Sequence, residues 1–146
     1  MRDAAATRLA DSSIALQVGA VTTLRPGWAL GIAATFGAVG WVAISQVTHR
    51  REAWDSELYF SWFLPSVALV VAGLAFFAPE RSWRWAFAPF GAQAAVAFVQ
   101  NPSASLLPLG LLVFAFYGAL CLVPAWVGAA VRRRLDLRRR AQDSNL

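Results

Sequence analysis

Lysine is absent from this sequence, and cysteine, histidine and methionine occur once each. A single thiol, Cys121, cannot close an internal disulfide, has no second thiol for a metal site and is not placed for N-terminal lipidation. It reads as a small packing residue. A haem-attachment motif needs two cysteines and is excluded. No phosphate-binding loop, dinucleotide fingerprint or Gly-x-Ser-x-Gly elbow is present either. All 13 basic residues are arginine. Beside abundant Ala, Gly and Val, this reads as the codon bias of a GC-rich genome, as in many bacteria.

Charge is also scarce. Only 14% of the 146 residues are charged, against about 25% in a soluble domain. Helices that meet water on one face need more than that. What remains is apolar: 58% of the chain is hydrophobic. The net charge of +5 would suggest nucleic acid in a soluble protein. In an apolar chain the anionic lipid of a membrane explains it better, and no nucleic-acid partner is expected.

Four apolar stretches predict an all-α polytopic membrane protein, a four-helix transmembrane bundle with spans at about 28–47, 58–78, 83–100 and 106–131. About 20 apolar residues cross the hydrocarbon layer. Residues 1–26 read as a short N-terminal interfacial segment, 27–131 as the membrane domain and 132–146 as a basic tail. Pro26 suits the first turn of the first span. That span is rich in small residues. Gly27 and Gly31 form a GxxxG, and Ala33 and Gly37 continue the theme, for which helix packing within the chain is expected ahead of a dimer seam. Pro65 predicts a kink in the second span. The third is the weakest: it is short and holds Pro89, Gln93 and Gln100. Asn101-Pro102-Ser103 predicts an uncharged turn before the fourth.

The arginines orient the chain. Arg2, Arg8, Arg25, Arg81, Arg84, Arg132, Arg133, Arg134, Arg138, Arg139 and Arg140 share one side of a four-span topology, leaving Arg50 and Arg51 on the other. By the positive-inside rule both termini are cytoplasmic, in a cell or inner membrane. Trp28, Trp83, Trp85 and Trp126 are expected at the inner interface, and Trp54, Tyr59 and Trp62 at the outer one. Trp41 fits neither belt and is assigned between helices. Arg132–Arg134 and Arg138–Arg140 are read as contacts to anionic headgroups, at roughly 1 kcal/mol each. Docking to an acidic partner is the alternative.

No Asp, Glu, Arg or His lies in the middle of a span. Proton-coupled exchange and carboxylate-ring channels are therefore poorly supported. One polar constellation remains at the outer rim: Gln46, His49, Glu52, Asp55, Glu57 and Tyr59, with Gln93 and Gln100 on one face of the third span. It can be read as a ligand or cation site. The plainer reading, which we favour, is a solvated rim with glutamines bonded between helices. His49 and Glu52 would share a face for a metal only if that segment were helical. Tyr117 is expected to bond a backbone carbonyl or Gln93. No cofactor is implied.

The general layout resembles that of small four-span bacterial inner-membrane proteins, a likeness that implies no activity. The expectation is a non-enzymatic accessory or interaction subunit, in a homo-oligomer or a larger membrane complex. The first rival is an oligomeric small-solute permease or channel. A membrane-embedded enzyme using His49–Glu57 comes last.

Overall fold

The structure, a computed structural model, describes residues 24–50, 52–102 and 107–143. The expected N-terminal segment (up to residue 23), Arg51, residues 103–106 (the rest of the expected turn and the first residue of the expected fourth span) and the last three tail residues lie outside them. Among the described residues there is no strand, and 88% are helical.

Helix α1 runs Pro26–Thr48. Pro26 sits where a helix needs no donor, and the Trp28 and Ala29 N–H groups both donate to the Arg25 carbonyl. The helix ends where His49 turns left-handed (φ 53°). Its buried residues are Ala29, Ala33, Gly37 and Trp41, every fourth position. Three small residues in that narrow stripe let the backbone approach a neighbour. Gly27 and Gly31 take no part: a Cβ on either would meet nothing within 4 Å. The in-chain seam expected at that GxxxG is instead carried by the register two residues on.

After a 3-10 turn at Ala53–Asp55, the second helical stretch opens with a π turn at Tyr59–Phe63 and continues as α2, Leu64–Phe77. Pro65 explains the wide turn, since it cannot donate to the carbonyl of Ser61. The Leu64 N–H reaches back five residues to the Tyr59 carbonyl. Helix α3 is Trp83–Gln100. Helices α4 (Leu107–Leu120) and α5 (Leu122–Asp143) are two halves of one rod. Pro124 removes the donor for the Leu120 carbonyl. The ladder continues around that gap, with Cys121 N–H to Tyr117 O and Ala125 N–H to Cys121 O. The arginine-rich region, as far as residue 143, is the end of the last helix.

The main faces pair α1 with α3, α2 with α5 and α3 with α4. Directions follow from contacts. Leu24 N–H donates to Phe77 O at 3.1 Å, so α1 begins beside the end of α2. Tyr59 lies beside Tyr117 and Phe76 beside Arg132, so α2 runs parallel to the α4–α5 rod. Gly118 lies against Phe87, and Phe90 stacks on Tyr117, so α3 and α4 are antiparallel. Arg25, Arg81, Arg84 and Arg132 consequently gather at one pole, and His49, Trp54 and Gln100 at the other.

Three stretches are long and apolar enough to cross a membrane: Pro26–Thr48, Tyr59–Phe77 and Pro108–Asp143. Helix α3 is not among them. Arg84, Gln93 and Gln100 dilute its 18 residues, and its buried positions are spent on neighbouring helices. Only 22–28% of each spanning window is buried. The outward faces carry Trp28, Leu69, Leu112 and Val123, the surface a bilayer solvates and water does not.

Candidate functional site

The helices place the rim residues at two depths. The shallow set is wet. Gln46, His49, Asp55, Glu57 and Gln100 are exposed, and Glu52 is half-buried. The chain leaves α1 at His49, and Glu52 is extended (φ −122°). The two therefore share no helical face, and the helical i,i+3 arrangement considered for a metal does not form. Among the described residues no group of three His, Cys, Asp or Glu side chains is placed to hold a metal ion, and no hydrogen bond joins His49 to a carboxylate.

The deep set is dry. Tyr59 and Gln93 are both 0% exposed, and the Tyr59 hydroxyl donates to Gln93 Oε1 at 2.7 Å. The π turn aims Tyr59 inward, so it leaves the outer aromatic belt where its position in sequence had put it. Tyr59, rather than Tyr117, is thus the partner of Gln93; Tyr117 stacks on Phe90 with centroids 6.2 Å apart. Gln93 Nε2 is buried with no hydrogen-bond partner among the described residues, as is Ser45 Oγ. Two N–H groups are thus withheld from water without compensation, a costly arrangement.

Between the two sets lies an aromatic plug. Trp41 is fully buried, edge-on to Trp54 at 5.3 Å, to Phe114 at 5.5 Å and to Tyr59 at 6.2 Å. Its indole N–H donates to Gln100 Oε1 at 3.2 Å, closing the rim end of the α1–α3 seam. Trp54, expected at the outer interface, instead packs on Gly110 and Phe114. Trp85, expected at the inner interface, is buried too, with its indole N–H given to the Ala78 carbonyl at 2.7 Å. Trp28, Trp62, Trp83 and Trp126 stay exposed, as belt residues do.

At the opposite pole the arginines divide. Arg132 is buried (7% exposed), donates from Nε to Asp136 at 3.1 Å and lies over the Phe76 ring at 5.7 Å. Arg133, Arg134, Arg138, Arg139 and Arg140 are exposed on the projecting helix. Arg25, Arg81 and Arg84 at the same pole are exposed as well. The difference was not legible in the run itself, since it depends on where α2 ends.

No family model, no curated protein and no solved structure matches this chain.

Proposed function

We propose that this chain is a four-span integral membrane protein with both ends cytoplasmic, acting as a non-enzymatic accessory or interaction subunit. Helix α3 completes the four, as the third span in chain order. Its polar residues are admitted because α1, α2, α4 and α5 all contact it, and lipid sees little of them. The observation that carries the reading is the plug. Trp41, Trp54, Tyr59, Phe114 and Tyr117 fill the space between helices where a solute path would run. The chain's contribution is then made through its outer surfaces: apolar helix faces in lipid, and arginines at one end for anionic headgroups or an acidic partner. Among the described residues these rings occupy the region a permease would keep open, which supports the subunit reading over it. The enzyme reading loses the convergence of His49 with the carboxylates.

The test is extraction of the tagged full chain from native membranes in mild detergent. Migration with a larger complex, or as a homo-oligomer, is the expected result. A lone monomer under those conditions would end the accessory-subunit reading. Tags at either terminus that react only from outside the cell would end the topology.

A further inference from the structure

We infer that the π turn at Tyr59–Phe63 and the Pro124 break at Cys121 form a paired hinge, whose opening exchanges the Tyr59–Gln93 hydrogen bond for water on the Gln93 amide. Two adjacent, parallel helices are each missing a backbone hydrogen bond, and the two gaps lie side by side. The evidence for that adjacency is a cleft of about 260 Å³ lined from one side by Phe60, Leu64 and Pro65 and from the other by Tyr117, Cys121 and Pro124. A helix bends where its ladder is broken, and the cleft is the room into which this pair bends.

The other two helices make a fixed frame. Helix α1 has no interior proline. Pro89 of α3 is backed by Gly37, where a Cβ would come within 2.6 Å of the Pro89 Cα. Below the hinge, α2 and α5 are closely joined at Gly128, where a Cβ would lie 2.9 Å from the Ala72 carbonyl carbon. They therefore move together against α1 and α3. Tyr59 lies in the turn that bends and Gln93 on the fixed helix, so opening parts that hydrogen bond first. Among the described residues nothing pairs with the two Gln93 Nε2 donors in the closed state, which raises its free energy and favours a hydrated minor state. Such minor states are populated at about 0.1–10%.

The test uses the full chain in lipid nanodiscs with Cys121→Ala and Ala97→Cys. Ala97 lies one turn above Gln93 and packs against the aromatic core. A charged, water-soluble maleimide is the probe, and labelling rate is the readout. Slow labelling is expected, rising several-fold with Tyr59→Phe. It should fall about ten-fold with Pro65→Ala and again with Pro124→Ala, each of which restores a ladder bond and depopulates the open state. Rates indifferent to both proline replacements would overturn the hinge. So would complete protection of position 97 with Tyr59→Phe present.

Discussion

Gly37 of α1 lies against the backbone of Pro89 in α3, so closely that the two helices meet through main chain rather than side chain. A side chain at position 37 has nowhere to go. Gly37→Leu should force the helices apart and destabilise the fold by about 1–3 kcal/mol, the range for overpacking. Gly31→Leu is the matched control, expected within about 0.5 kcal/mol of the parent because its site is open. Thermal unfolding in detergent, followed by tryptophan fluorescence, separates the two.

The Tyr59–Gln93 bond predicts an asymmetry between its partners. Tyr59→Phe leaves a buried amide with every polar atom unpaired. It should cost about 0.6 kcal/mol and up to about 1.7, the measured range for such bonds in membrane bundles. Gln93→Leu removes the bond together with the unpaired Nε2, and should cost less than Tyr59→Phe or even stabilise. Denaturant titration of both variants in the same detergent decides it. Gln93→Leu being the more damaging would mean that the amide has a partner.

Much of the fold could be read from the chain. The first two spans and the last were legible because each is a long apolar run between charged islands, and the first keeps its expected limits to within two residues. The third was visible as a helix but not as a candidate by hydropathy. Its lower hydropathy reflects contact with four other helical segments, which no local window sees. The rim was legible as a set of polar residues but not as two sets. Tyr59 and Gln93 are 34 positions apart, and Tyr59 meets Gln93 from the first residue of the π turn. Pro65 signalled a disturbance there without revealing that it would rotate Tyr59 inward. Trp41 stood out in sequence because it fitted neither interface, and it is fully buried.

Arg132 and Arg133 are neighbours in sequence with different duties. Arg132→Ala removes a charged hydrogen bond to Asp136 and a contact with Phe76. It should cost about 1.5–3 kcal/mol, toward the low end because Asp136 is partly exposed. Arg133→Ala should be silent in stability, within about 0.5 kcal/mol. Melting curves of the two variants at low and high salt test this, with the Arg132 effect the less sensitive to salt.

In the proposed topology the exposed arginines set the orientation. Replacing Arg133, Arg134, Arg138, Arg139 and Arg140 with Gln leaves Arg132 in place but removes most of the charge excess at that pole. A mixed population of orientations is expected, read by a C-terminal enzyme fusion active only outside the cytoplasm. A fully retained orientation would assign those residues to a partner instead of to topology.

The helical rod of 36 residues from Pro108 to Asp143 is about 54 Å long at 1.5 Å per residue, well beyond the roughly 30 Å of hydrocarbon. In the proposed topology its far third is therefore a stiff mast. Whatever seats on the cationic tip is held at a set height and azimuth over the bilayer, and a tilt of the buried part swings that cargo sideways like the end of a lever.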